Sequence, residues 1–313
     1  MKVDKSNIVT HTKYWSYKSN KYRLSSFSNK IRFFLKYIIN KLFLNNFGFA
    51  VVQKNSTFRG EKNSYINNLE VLSLRNEKIS DFLISFGLNN GIKFNKSNLL
   101  KNIERYEKLF RTVKISDLSG GMGFNDGLFL YLLICHFNPK IILESGIWRG
   151  YSTFLIDDAT VNNAKIFCFD INLNNREFYS KKASYFENDL SLVNEIDFNT
   201  VDLAFFDDHV SIYDRLKLCL KNKIEIVIVD DDVSLTQVHS DGWPPIPTAS
   251  MIYNYYKIPK KFEWINNNFQ AKADITGLEV DDICKFYKYI PFPQLAEYTG
   301  YIDTSLTSLL LRH

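Results

Sequence analysis

Short apolar runs alternate with stretches of helical periodicity from about residue 127 onward. The runs are KIILES (140–145), KIFCFD (165–170), VDLAFFD (201–207) and EIVIVD (225–230). Each is rich in Val, Ile or Phe, which is typical of strands buried on both faces of a sheet. The segment LFLYLLICHF before them is apolar nearly all round and predicts a buried helix. This alternation predicts an α/β fold whose sheet is mostly parallel.

The residues before this region are predicted to form an N-terminal arm and helical extension (1–112), with the main domain at 113–313. Residues 64–112 show two amphipathic helical patterns around the turn-rich GLNNGIKFNKSN. In residues 30–52 the apolar positions follow one helical face, but basic residues interrupt them too often for a membrane-spanning helix. Two interpretations of 30–52 stay open: a helix packed on the main domain, or a helix in peripheral contact with a membrane.

The composition narrows the class of partner and the compartment. The formal net charge of +5 and the pI near 8.8 are mildly basic, without the basic clustering of a nucleic-acid-binding protein. Four scattered cysteines show no metal-binding spacing, and the polar start of the chain shows no secretory signal. We therefore expect reduced thiols in a cytoplasmic protein, placed at the inner face of the membrane if 30–52 makes contact there.

A glycine-containing turn follows the first predicted strand in IILESGIWRGYSTFLI (141–156). Gly146 and Gly150 allow the backbone to turn tightly and to approach a ligand, and Ser152 or Thr153 is expected to cap the helix that follows. The turn matches neither GxGxxG nor the GK[ST] of a phosphate-binding loop. Close packing of the strand on the helix explains the two glycines equally well.

The succession of motifs after this turn resembles that of class I S-adenosylmethionine-dependent methyltransferases, over roughly residues 118–260. ESGIWRG is similar to their first motif, acidic-x-Gly-x-x-x-Gly. The resemblance implies that Asp170, in FCFDINL, holds the ribose hydroxyls and that Asp189, in YFENDLS, meets the adenine amino group. It also implies a Rossmann-like, mostly parallel sheet of seven strands ending in an antiparallel hairpin, which KFYKYI (285–290) and TSLTSLLLR (304–312) are expected to supply.

The cofactor site that the resemblance implies is centred on the glycine turn. Trp148 and Arg149 replace the usual third glycine of the motif, and Arg149 is expected to pair either with the cofactor's carboxylate or with a surface carboxylate. The predicted cofactor-binding residues are Glu144, Ser145, Gly146, Trp148, Arg149, Gly150, Ser152, Asp170 and Asp189.

Two acidic segments, FFDDHVS (205–211) and IVDDDVS (228–234), follow later predicted strands. In the class I order these strands are neighbours about 4.8 Å apart, so their carboxylates crowd together and repel unless protons or a cation intervene. Oxygen ligands of this kind favour Mg²⁺. The segments resemble the metal site of the macrocin-type and cephalosporin-hydroxylase-like branches, which implies Asp207, Asp230 and Asp231 as ligands.

His209 is the predicted general base, with Asp208 beside it as a second predicted catalytic residue. An imidazole has an ordinary pKa of about 6.5 and accepts a hydroxyl proton near neutral pH. In the related branch an acidic residue takes this place, and a capped loop before the helix SIYDRLKLCL is the alternative interpretation of both residues. The loop 237–251, with His239 and Trp243, is expected either to shape the acceptor pocket or to form a rigid connection.

The predicted function is S-adenosylmethionine-dependent O-methylation of a sugar or another small hydroxylated acceptor, helped by Mg²⁺. By analogy with the branches named above, this would belong to polysaccharide biosynthesis. Two alternatives stay open. One is a metal-dependent nucleotide-sugar glycosyltransferase that uses the Asp-x-Asp of VDDDV, and the other is a non-catalytic Rossmann-like binding module.

Overall fold

The computed structural model describes residues 69–116, 121–193, 196–238, 244–266, 269–301 and 305–312. The segment 30–52, with its two interpretations, lies outside the described residues, and so do His239 and Trp243. Within the described ranges, no helix combines the length and the apolar character needed to cross a bilayer.

A seven-stranded sheet forms the centre of the fold. Its strands are β1 (Ile141–Ser145), β2 (Lys165–Phe169), β3 (Ala183–Phe186), β4 (Leu203–Phe206), β5 (Ile226–Val229), β8 (Tyr287–Pro291) and β9 (Thr307–Leu311), and a separate hairpin contains β6 (Lys261–Asn266) and β7 (Phe269–Asp274). The order in the sheet is β3-β2-β1-β4-β5-β9-β8, with β9 antiparallel to both neighbours and the other pairs parallel. The predicted Rossmann-like architecture is therefore confirmed.

Eight α-helices are present in the described part of the chain. They are α1 (Leu69–Asn90), α2 (Lys96–Thr112), α3 (Phe124–Phe137), α4 (Tyr151–Ala159), α5 (Ile212–Lys221), α6 (Ala249–Tyr253), α7 (Asp281–Phe286) and α8 (Ala296–Thr299). The two amphipathic patterns form α1 and α2, and the side chain of Asn95 caps α2 by accepting the N–H of Asn98 at 3.0 Å. The all-apolar segment is the buried helix α3, as predicted.

Two C-terminal segments differ from what the sequence pattern indicates. Lys285 and Phe286, at the start of KFYKYI, end α7, and β8 begins only at Tyr287. Asp281 and Asp282 in the first turn and Lys285 in the last suit the helix dipole, which favours the helix at this place. The hairpin β6–β7 was not predicted, because its strands carry several charged side chains and lack the apolar character of the central strands.

Successive residues of the central strands enter two different cores, one on each face of the sheet. Ile142 and Phe205 pack with α1–α4 on one face, whereas Leu143 and Phe206 pack with α5–α7 on the other. Both faces are covered, which is why the strand sequences are apolar throughout. Because α1 and α2 contribute to the first core, they pack as part of the main body, and the domain boundary at 112/113 stays a prediction.

The strand register brings three loop positions to one level at the carboxyl edge of the sheet. Ser145 pairs with Phe206, and Phe206 pairs with Val229. The next residues are Gly146, Asp207 and Asp230, at the edge where α/β sheets of this kind bind ligands.

Candidate active site

The turn after β1 requires glycine at both predicted positions. Gly146 and Gly150 have φ of +94° and +88°, the left-handed region that glycine enters without steric cost. Trp148 between them has φ of +49°, which is rare for a bulky residue. Asp170 Oδ2 holds the turn by accepting the N–H groups of Ile147 and Trp148, each at 2.9 Å. Asp170 thus fixes the backbone of the turn, and the side chain of Trp148 is 46% exposed to solvent.

Glu144 and Ser152 lie behind the turn. The buried Glu144 carboxylate accepts hydrogen bonds from the hydroxyls of Ser152 (2.6 Å) and Thr153 (2.7 Å) and from the thiol of Cys168 (3.2 Å). Helix α4 begins after Gly150 without a side-chain cap, so the predicted capping by Ser152 or Thr153 is wrong. A buried carboxylate needs donors, and it takes both hydroxyls. Glu144 and Ser152 therefore join strand to helix, and their role as cofactor contacts stays a prediction.

The buried Glu144 makes the free energy of unfolding depend on pH. Burial raises the pKa of Glu144 from 4.5 to about 6, although the donors on Ser152, Thr153 and Cys168 oppose the change. The native state then holds the proton more tightly than the unfolded chain does. The contribution of protonated Glu144 to the free energy of unfolding is therefore complete below pH 4.5 and is lost as the pH rises through 6. We expect the stability of the wild type relative to Glu144→Gln to fall by about 2 kcal/mol between acidic and neutral pH. Urea unfolding at several pH values measures the difference in free energy of unfolding between the wild type and Glu144→Gln. A difference that does not change with pH would contradict the raised pKa of Glu144.

Asp189 binds a buried arginine that sequence reasoning missed. Arg215, on α5 and 4% exposed, donates from Nη2 to Asp189 Oδ2 at 2.7 Å, and Ser191 donates to the other carboxylate oxygen. Burial raises the pKa of Asp189, but Arg215 and Ser191 outweigh this effect and the pKa is lowered. The side chain therefore has internal partners, and its contact with adenine stays a prediction. The sequence does indicate that this arginine is buried, since Arg215 falls on the apolar face of α5 between Ile212 and Cys219.

Asp208 binds the same arginine. Its Oδ2 accepts from Arg215 Nε at 2.9 Å and from Ser145 Oγ at 2.7 Å, and its Oδ1 accepts the N–H of Val210 at 3.2 Å. These bonds give Asp208 a structural role, and its catalytic role stays a prediction. They also give the buried Ser145 a structural partner.

Arg149 follows the second of its two interpretations. It forms an ion pair with Glu177 and donates to Ser116 Oγ at 2.8 Å. The backbone N–H of Glu177 in turn donates to the carbonyl of Arg149 at 3.0 Å. These contacts fasten the glycine turn to the loop after β2.

Asp207, His209 and Asp231 converge where β4 and β5 end. One ligand atom from each lies within 4.8 Å of the others. His209 Nδ1 is 3.2 Å from Asp231 Oδ2, and His209 Nε2 is 3.8 Å from Asp207 Oδ1. His209 and Asp231 both have positive φ, +53° and +55°. Such backbone conformations concentrate at functional sites.

Two further carboxylates surround this group. Asp230, predicted as a ligand, lies outside the three-residue group, and its Oδ1 accepts the N–H of Asp231 at 2.8 Å. Asp126 at the start of α3 was not predicted, because its sequence context shows only a helix N-terminus. Burial raises the pKa of Asp126 to about 7, and the charge of Asp231 adds to the effect. Burial also raises the pKa of Asp207, with Asp230 and Asp231 adding to it, and carboxylates this close repel one another unless protons or a cation intervene.

Asp232 is separated from this acidic group by its partners. Its carboxylate accepts the N–H of Ser250 at 2.6 Å and the hydroxyl of Tyr289 at 2.8 Å. The side chains of Asp230 and Asp232 are thus held by different partners.

The strand order, the glycine turn after β1 and the acidic edge agree with the fold that the resemblance to class I S-adenosylmethionine-dependent methyltransferases implies. Residues 95–204 match the family model described as O-methyltransferase. This match confirms the resemblance carried by the motifs.

Similar solved structures show low sequence identity to this chain. A protein from Klebsiella pneumoniae assigned as an O-methyltransferase is 14% identical, with 77% of this chain and 100% of that chain covered and a TM-score of 0.37. The O-methyltransferase TomG from Streptomyces achromogenes is 16% identical, with 66% and 99% covered and a TM-score of 0.35. An O-methyltransferase from Bacillus cereus is 16% identical, with 56% and 90% covered and a TM-score of 0.32. A search of curated protein sequences gives no match.

Proposed function

We propose that the chain methylates a hydroxyl of a small acceptor, with S-adenosylmethionine at the glycine turn and a divalent cation at Asp207 and Asp231. The observation that carries the proposal is the convergence of Asp207, His209 and Asp231 beside this turn. The close approach of the two sites supports it, because an added Cβ at Gly146 would meet the backbone of Asp207.

The residues at the turn fit the cofactor. Asp170 is half-buried at the end of β2, and its Oδ1 accepts the N–H of Asn172 at 2.9 Å. A carboxylate has about four acceptor sites, so with Ile147, Trp148 and Asn172 already bound, Asp170 can hold the turn and still accept a ribose hydroxyl on Oδ1. Gly146, Gly150 and the exposed Trp148 form the wall of this site, whereas Glu144 and Ser152 support it from behind.

The acidic group fits a hard cation, since two of its three members offer carboxylate oxygens. When bound, S-adenosylmethionine supplies a methyl group on a positively charged sulfur, and a divalent cation lowers the pKa of a hydroxyl that it contacts. A tautomer of His209 with its proton on Nδ1 donates to Asp231 at 3.2 Å. Nε2 is then the basic nitrogen that takes the acceptor's proton, while Asp207 and Asp231 orient the hydroxyl.

A sugar is the acceptor that we favour, within the small hydroxylated class. The support is the resemblance of FFDDHVS and IVDDDVS to the macrocin-type branch, so the choice of sugar is an analogy. The mildly basic net charge of +5 is compatible with a neutral or anionic acceptor.

The proposal is tested by calorimetric titration with S-adenosylhomocysteine and, separately, with UDP-sugars, each in Mg²⁺ and in EDTA. We expect saturable binding of S-adenosylhomocysteine that survives EDTA, because Gly146, Gly150 and Asp170 lie on the cofactor side of the acidic group. Release of S-adenosylhomocysteine from S-adenosylmethionine is then followed with a panel of sugars, with and without Mg²⁺.

Two results would contradict the proposal. Binding of a UDP-sugar that requires Mg²⁺, without binding of S-adenosylhomocysteine, would favour the glycosyltransferase. Binding of S-adenosylhomocysteine that is unaffected by replacing Asp207 and Asp231, with no Mn²⁺ binding in the wild type, would remove the cation from the proposal.

A further inference from the structure

Arg215 joins two loops at the carboxyl edge of the sheet. Its guanidinium group is the shared partner of Asp208, which follows β4, and Asp189, which follows β3. The side chains of Arg215, Asp189 and Asp208 are 5%, 3% and 10% exposed. Nε and Nη2 both point to carboxylate oxygens, so the orientation of the planar group is defined by two partners at once.

Each partner of Arg215 is itself attached to a segment of the site. Asp208 lies in the chain between Asp207 and His209, and it also accepts the hydroxyl of Ser145 at the start of the glycine turn. Asp189 accepts the N–H of Ser191 at 2.8 Å and so shapes the turn after β3. The guanidinium group of Arg215 therefore connects three segments that face the proposed ligands.

The burial of this group is informative because it is costly. Two carboxylates and one guanidinium leave an excess negative charge inside the protein, and an apolar cluster of similar volume would stabilise the fold at least as well. Arginine provides what an apolar group does not, which is a fixed distance and angle between two loops.

We infer that Arg215 is a positioning residue, which holds the Asp207–His209 segment against the glycine turn and the loop after β3. The inference rests on the proposed function, since it assigns Arg215 an effect on both the cation and the cofactor. Arg215 need not contact the cation or the cofactor, because it acts through Asp208 and Asp189.

The test compares Arg215→Lys and Arg215→Met with the wild type, using Mn²⁺ and S-adenosylhomocysteine as probes. Free Mn²⁺ is followed by electron paramagnetic resonance, cofactor binding by calorimetry, and folding by thermal denaturation. Lysine keeps the charge but lacks the two-pronged geometry, so Arg215→Lys is expected to restore much of the melting temperature that Arg215→Met loses. Its Mn²⁺ affinity should nevertheless stay about tenfold below the wild type, with S-adenosylhomocysteine affinity also reduced.

Lys217→Met is the matched control, because it removes one positive charge from an exposed position of the same helix. We expect both affinities to be unchanged in this variant. If Arg215→Met does not fold, Arg215→Lys alone decides, with affinities measured well below its melting temperature. A wild type that binds both probes, together with an Arg215→Lys variant that binds them equally tightly, overturns this inference alone. A wild type that binds neither probe refutes the proposed function and the inference with it.

Discussion

Replacing Gly146 with alanine is expected to abolish binding of S-adenosylhomocysteine and to lower the free energy of unfolding by roughly 3 kcal/mol or more. The backbone at Gly146 has φ of +94°, and a Cβ there would lie less than 3.0 Å from the carbonyl oxygen of Asp207 and 2.8 Å from the nitrogen of Asp208. Both atoms belong to the backbone, so no side-chain rotation relieves the clash. The loop carrying Asp207 would have to move away from β1.

Gly277→Ala is the matched control for this variant. Gly277 also has a positive φ, +79°, but a Cβ at this position meets nothing within 4 Å. Only the conformational penalty of a left-handed alanine remains, roughly 1–2 kcal/mol. Urea unfolding and calorimetry on both variants separate the two effects. Equal losses of stability, with cofactor binding retained in Gly146→Ala, would show that the contact between the turn and the Asp207 loop is unimportant.

Replacing Asp231 with asparagine is expected to weaken Mn²⁺ binding by at least roughly 100-fold, more than the loss of a residue that only supports a ligand. Asp231 is one of the three residues that converge, and it also lies 3.2 Å from His209. The amide keeps the shape of the side chain but offers neither the charge nor the second oxygen that a hard cation prefers. Binding of S-adenosylhomocysteine should stay near the wild-type value, since the glycine turn is not altered.

Asp232→Asn distinguishes the two metal-dependent functions. Asp232 is the next residue along the chain, but Ser250 and Tyr289 engage its carboxylate. The methyltransferase proposal predicts that this variant keeps Mn²⁺ affinity once any loss of stability is taken into account. Loss of Mn²⁺ binding in Asp232→Asn, with binding retained in Asp231→Asn, would instead favour the Asp-x-Asp arrangement of a glycosyltransferase.

The parts of the site that the sequence predicted are those governed by local rules. Gly146 and Gly150 were recognised because a tight turn after a strand needs positive φ, and both have it. The crowding of Asp207 with the acidic residues after β5 was expected because parallel strands end at the same edge of a sheet, whereas the choice of Asp207, Asp230 and Asp231 as ligands came from the family resemblance. His209 followed from its place in the same loop.

The partners of buried polar groups could not be predicted in the same way. Asp189 and Asp208 are 19 residues apart in sequence, and the arginine that binds both lies on a third segment, 26 and 7 residues away. No periodicity relates such distances. The same applies to Glu144, whose partner hydroxyls were mistaken for helix caps, and to Asp126, which reaches the acidic group from a different helix.

The sequence by itself determined the α/β class, the central strands and the acidic edge, because buried parallel strands must be apolar and their ends must be followed by polar loops. Only the tertiary structure decided which of these carboxylates are available to bind a cation. Asp207 and Asp231 converge with His209. The carboxylates of Asp189, Asp208 and Asp232 are instead bound by partners inside the protein. The physical reason is that a buried carboxylate takes whatever donor the fold brings within reach, and that donor is set by packing between segments distant in the chain.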